Sequence, residues 1–170
     1  ALQDRIRCVW RLRDEAPDGA AQTIYPDGCC ELILHLAIPM QRWQGEGWRP
    51  QSACLFAAQH RSAIRLRATG PLDCIGLRLQ PWASAIAVDA RLPELRDQIV
   101  DLRTLAPALA EELSRALPQL NGDSNAVWAQ LDQTLGPIQG PMAIRRAVER
   151  LEAQAGNARI DALAQECGLP

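Results

Sequence analysis

The side chains with the strongest chemistry of their own are two histidines, His35 and His60, and six cysteines, Cys8, Cys29, Cys30, Cys54, Cys74 and Cys167. No His-x-His and no Cys-x-x-Cys occurs. A metal site would therefore have to gather an imidazole with Glu31, Cys29, Cys30 or Cys54 from separate segments. A nucleophilic site would pair Cys29 or Cys30 with His35, and it would need a positive environment to lower the thiol pKa. The vicinal Cys29-Cys30 pair also has the form of a sensor for oxidants or soft metals. In a chain long enough to build a core, free thiols packed as small hydrophobes are the default. The expectation is no catalytic residue, no metal and no cofactor.

Five tryptophans stand against one Phe and one Tyr. Indole offers a large rigid face and a single donor, which suits both a ligand pocket and an ordinary core. Trp10, Trp48 and Trp82 are the candidate walls of a small-molecule pocket. Glu31, His35 and Arg78 are the candidate polar groups that would orient a ligand if their strand faces point inward; outward faces are equally open to them. Pro26-Asp27-Gly28 reads as a tight turn, with glycine supplying the positive φ, rather than as a binding loop.

The elements that must carry these residues change character near Pro81. Before it, Pro17-Asp18-Gly19, Pro26-Asp27-Gly28, Pro39, Gly45 to Pro50 and Gly70-Pro71 leave room for strands and little room for helices. Strands are predicted over 6–13, 22–25, 30–38, 52–58, 63–68 and 72–79. In the third, Leu32, Leu34 and Leu36 share one face while Glu31, Ile33 and His35 share the other. Six short strands predict a sandwich or barrel. After Pro81 the apolar spacing becomes helical, with short segments near 83–88 and 95–99. A longer amphipathic helix then carries Leu105, Leu109, Leu113 and Leu117, and another carries Val127, Trp128, Leu131 and Leu135. The two stripes offer more apolar helix surface than one core obviously needs. Leu109, Leu113, Val127 and Leu131 are accordingly candidates for a homodimer seam. Beyond Gln139-Gly140-Pro141, two short helices are expected to close at Gly156 and Gly168. The organisation is thus a β-rich region over 1–82, a helical segment over 83–138 and a helical pair over 139–170.

With 170 residues, 48% hydrophobic and 22% charged, the chain is compositionally globular, and its formal charge of -2 gives no broad cationic surface for nucleic acid or anionic lipid. All 18 basic residues are arginine, consistent with GC-rich codons rather than with a special anion site. No apolar stretch approaches the ~18 residues of a membrane span, and no signal peptide opens the chain, so the expected location is the cytoplasm.

Cys8-Val9-Trp10, Tyr25-Pro26-Asp27-Gly28-Cys29-Cys30-Glu31-Leu32-Ile33, Arg49-Pro50, Ile75-Gly76-Leu77-Arg78-Leu79-Gln80-Pro81, Leu92-Pro93-Glu94-Leu95 and Val100-Asp101-Leu102 follow one another in an order that resembles the N-terminal domain of one branch of the AraC-type transcriptional regulators. The segment 160–169 is similar to the first helix-turn-helix entry of their DNA-binding domain. The resemblance implies an α+β chain: a cupin-like β-barrel or sandwich that senses a small effector and supports dimerisation, followed by helices. Pro170 stands where that family has a capping Ser, and Arg159 is a poor cap before Ile160. The groove-reading helices would lie beyond residue 170, so the chain reads as part of a longer regulator, with DNA a partner of that longer protein only. The 139–170 segment carries four basic and four acidic residues and has no net attraction for phosphate. The competing expectation is a small cupin-like metal-dependent enzyme, against which the low histidine count speaks.

Overall fold

A computed structural model describes residues 4–83, 92–119, 129 and 142–169. Its strands are β1 (Ile6–Asp14), β2 (Gln22–Ile24), β3 (Glu31–His35), β4 (Gln41–Trp43), β5 (Trp48–Pro50), β6 (Cys54–Ala57), β7 (Ile64–Arg67), β8 (Leu72–Leu79) and β9 (Ile99–Asp101). Its helices are α1 (Leu92–Leu95), α2 (Leu102–Leu105), α3 (Pro107–Ala116), α4 (Met142–Ala153) and α5 (Ile160–Cys167). The strands form two antiparallel sheets, one ordered β1-β8-β3-β6-β9 and the other β2-β7-β4-β5. No ladder among the described residues joins them into a closed barrel, so of the two expected architectures the fold is the sandwich-like α+β one.

At its centre, over β8, β3 and β6, the large sheet is covered on both faces, and its two faces do different work. Leu32 and Leu34 of β3, Cys54 and Phe56 of β6, and Ile75, Leu77 and Leu79 of β8 pack with Leu102, Ala110, Leu113 and Leu117 into the main core. The opposite face turns toward the small sheet, where Cys74 and Leu72 meet Met40, Ala68, Leu66, Ile33 and Trp10 in a second cluster. A strand covered on both sides has no polar alternation to show, which is why β8 reads as a plain apolar run.

β4 and β5 lie between Pro39 and Pro50, where three-residue strands give no readable period. The region near 95–99, expected to be helical, instead ends α1 and enters β9, which adds to the large sheet beside β6. The Asp101 side chain then accepts from the Arg103 backbone N–H and starts α2. The Leu105-to-Leu117 helix is interrupted at Ala106, because Pro107 cannot continue a helical ladder; α3 starts afresh there.

Leu113 is 1% exposed inside the main core, which corrects the expectation that it offers a dimer seam; Leu109 is half-buried against the same core, and α3 covers the large sheet. Val127 and Leu131, together with Trp128 and Leu135, lie outside the described residues, as does the 83–88 segment apart from Ala83.

α4 and α5 pair through Ala147, Leu163 and Cys167, with Leu151 and Leu169 against them. Gly156 (φ +79) and Gly168 (φ +68) close the two turns as expected, and Arg159 supplies no side-chain cap. The pair is held to the β-region by Arg145 to Asp4 (3.0 Å) and Arg7 to Glu152 (3.0 Å), with the Arg145 guanidinium 5.5 Å from the centre of the Trp82 ring. Among the described residues no helix is long and apolar enough to cross a membrane.

Candidate functional site

The space between the sheets holds a cavity of about 230 Å³. Its floor is the inner face of the large sheet, and strand register fixes the order of side chains on it. Arg78, Glu31, Ala57 and Ile99 form one row across β8, β3, β6 and β9; Trp10, Gly76 and Ile33 form the next; Leu12, Cys74 and His35 form the third. Ile24, Ile64 and Leu66 of the small sheet and Met40 close the other side.

One polar cluster sits at the Glu31 end. Arg78 donates from Nε to Glu31 Oε1 (2.7 Å) and reaches Asp27 Oδ2 with Nη1 (2.9 Å), while Trp10 Nε1 donates to the same Glu31 oxygen (3.3 Å). Gly76 makes this possible. A Cβ at that position would lie 2.1 Å from Trp10 Cε2 and 2.2 Å from Cζ2, so the indole can lie across β8 toward Glu31 only because the intervening residue has no side chain. Asp27 belongs to the Pro26-Asp27-Gly28 turn, whose Gly28 has φ +77 as expected and whose Asp27 accepts from the Cys29 backbone N–H. The turn therefore also supplies a cavity wall.

The other end is occupied by His35, 7% exposed. Burial pushes its pKa below 6.5, offset in part by the nearby Gln51 amide, yet neither ring nitrogen makes a hydrogen bond of acceptable geometry. A neutral imidazole has one donor and one acceptor, and in His35 both are buried. His60, which also lines the space, has its pKa lowered by burial and by Arg42, and its buried Nε2 is likewise unpartnered.

Of the expected ligand contacts, Trp10, Glu31, His35 and Arg78 are brought together on this lining, while Trp48 and Trp82 are not. Trp48 lies on β5 against Trp43 (5.5 Å between ring centres), with Arg67 4.4 Å and Arg65 5.7 Å from its ring centre. Arg65 and Arg67 alternate with the cavity-facing Ile64 and Leu66, which places that stack on the far side of the small sheet. Trp82 is buried where the chain leaves β8 and donates to the Asp4 carbonyl (2.8 Å).

Gly76, Asp27, Met40, Gln51, His60 and Cys74 were not singled out as site residues from sequence. Gly76 carried a signal, a lone glycine inside an apolar strand, which marks a close approach. His60 stood out only as one of two imidazoles, because an irregular connection has no period that would place it on a face.

Cys29, Cys54 and Cys74 are poor nucleophiles as placed. Burial pushes Cys74 up to about 11, with Asp73 adding to it, and burial also raises Cys54 and Cys29. Arg7 comes within 4.0 Å of Cys29 Sγ without reversing that. Cys29 and His35 lie at opposite ends of the lining, and among the described residues no three His, Cys, Asp or Glu side chains converge as a metal site. What the arrangement can do is hold a compact molecule against apolar walls beside the Trp10–Glu31–Arg78 set.

Residues 1–101 match the family described as Domain of unknown function (DUF6597). The chain belongs to that family. The match covers both sheets through β9, so every residue of the cavity lining lies within the DUF6597 domain. No curated protein and no solved structure matches the chain.

Proposed function

We propose that the DUF6597 domain of this chain is the effector-sensing part of a cytoplasmic AraC-type transcriptional regulator, and that the effector binds between the two sheets. The observation that carries the reading is the lining itself: apolar walls around an ordered Trp10–Glu31–Arg78 set.

Sensing also needs an output. Arg7, which reaches the cavity wall at Cys29, is ion-paired with Glu152 on α4. The α4–α5 pair is the part of the chain that resembles the entry to a helix-turn-helix domain. A shift of the Asp27–Cys29 wall on binding would reach α4 through that arginine. DNA is then a partner of a polypeptide that continues into recognition helices, not of α4 and α5 alone.

The test is a thermal-shift screen of the 170-residue chain against a broad library of small metabolites. A true effector at a hundredfold excess over Kd stabilises by about 2.7 kcal/mol. Trp10→Leu or Glu31→Gln should abolish the shift. A library in which no compound stabilises the wild type more than these two variants refutes the sensing role.

A further inference from the structure

We infer that the cavity takes a single-ring amine, protonated at neutral pH, with its ring between the sheets and its ammonium group on Glu31 at the cavity's wet end. The inference rests on the sensing role proposed above and names the class of effector.

Size, charge and an unused acceptor define it. At about 230 Å³ the cavity exceeds the ~150 Å³ that suffices for benzene and falls short of the ~300–1,000 Å³ typical of sites for drug-sized ligands, so one ring with a short substituent is the right size. Ile33, Met40, Ile64 and Leu66 supply the ring's walls. Among the described lining residues, two carboxylates, Asp27 and Glu31, stand against one guanidinium, Arg78, which both of them hold. Burial keeps His35 and His60 neutral and Cys74 protonated at neutral pH, and Arg7, beside Cys29, is already paired with Glu152. One negative charge is left over. It attracts a cation, whereas a ligand carboxylate would have to displace Asp27 or Glu31 from Arg78 while lying beside the other.

Glu31 spends only one of its two oxygens inside the chain. Arg78 Nε and Trp10 Nε1 both donate to Oε1. Oε2 accepts from no described residue and, unlike the His35 nitrogens, is not sealed from water. The side chains of Glu31, Arg78 and Asp27 are 18%, 35% and 45% exposed, so water reaches this end of the cavity. An ammonium group there donates one N–H to Oε2 and keeps the others hydrated, which avoids the desolvation cost of a fully buried charge.

The experiment is calorimetric titration of the intact 170-residue chain with benzylamine, benzyl alcohol and benzoate at pH 7.5, three probes of similar size that differ in charge. Benzylamine is expected to bind about tenfold more tightly than benzyl alcohol, a difference of roughly 1.4 kcal/mol, and benzoate more weakly than both. In Glu31→Gln, which keeps an acceptor for Trp10 and Arg78, amine and alcohol should bind alike; an advantage that survives there overturns the ammonium–Glu31 contact. Should that variant fold poorly, the side-chain carboxyl carbon resonance of Glu31 in the wild type replaces it: benzylamine is expected to move it, and a benzylamine complex that leaves it in place overturns the contact. Equal affinity of the wild type for benzylamine and benzyl alcohol overturns the cationic class and leaves the sensing role standing. Tightest binding by benzoate overturns the charge argument. Failure of all three probes to bind overturns the ligand class, and the broad screen above then decides separately whether the cavity senses anything.

Discussion

Gly76→Ala tests the packing on which the cavity wall depends. The new methyl would start 2.1 Å from Trp10 Cε2 where ordinary contact begins at 3.4 Å, so the indole must withdraw by more than 1 Å or β8 must bend. Withdrawal breaks the Trp10–Glu31 hydrogen bond, worth about 1.5 kcal/mol with a charged acceptor. It also re-exposes roughly 60 Å² of indole, about 1.5 kcal/mol at 25 cal/mol/Å². Replacing a strand glycine returns about 0.5–1 kcal/mol through the unfolded chain. The net expected loss is about 2–2.5 kcal/mol, a fall in Tm of roughly 4–10 °C for a chain of this size. Urea and thermal unfolding followed by far-UV circular dichroism give the value, with the same substitution repeated in a Trp10→Leu background. There the clash is absent, and Gly76→Ala should be neutral or stabilising. An equal cost in both backgrounds would show that Gly76 serves the strand for some reason other than the indole, and would refute the reasoning.

Leu113→Ala should destabilise by about 2–5 kcal/mol and Leu113→Glu should unfold the β-region, measured by urea denaturation, because that side chain is core; a folded Leu113→Glu would contradict the packing. Stability should fall as pH drops below 6.5: His35 and His60 have folded pKa values depressed by burial, the unfolded state takes up protons first, and the stabilisation is complete only above the unfolded value. His35→Phe should flatten part of that dependence, and an unchanged slope from pH 7 to 5 in the variant would count against a buried neutral imidazole. With a thiol reagent at pH 7.5, exposed Cys8 should label quickly while Cys30, Cys54, Cys74 and Cys167 wait for unfolding; fast reaction of Cys74 would contradict its burial and its raised pKa.

How much of this was legible in the sequence varied with the kind of burial. The alternation of Leu32 and Leu34 against Glu31, Ile33 and His35 placed two candidate residues, Glu31 and His35, on one definable face, but alternation cannot say whether that face meets solvent or another sheet. Period alone likewise put Leu113 on an apolar stripe without showing against what it packs, and within the chain it packs into the core of the large sheet. Trp48 and Trp82 were indistinguishable from Trp10 in the sequence, since the fate of each ring is set by strand order: β5 borders β4 at the edge of the small sheet, whereas β1 lies beside β8 and its glycine. β9 was hidden because three residues, Ile99–Asp101, are too few to show a period of two between α1 and α2.

The most direct measurement is a protein-observed NMR screen of the 170-residue chain with small single-ring compounds. The expected result is a set of binders whose shifts concentrate on the Trp10 indole N–H, Gly76, Ile33 and His35, with smaller changes at Arg7 and Glu152 on the path to α4. Binders that map instead to the outer face around Trp48, or a library with no binder at all, would contradict a ligand site between the sheets.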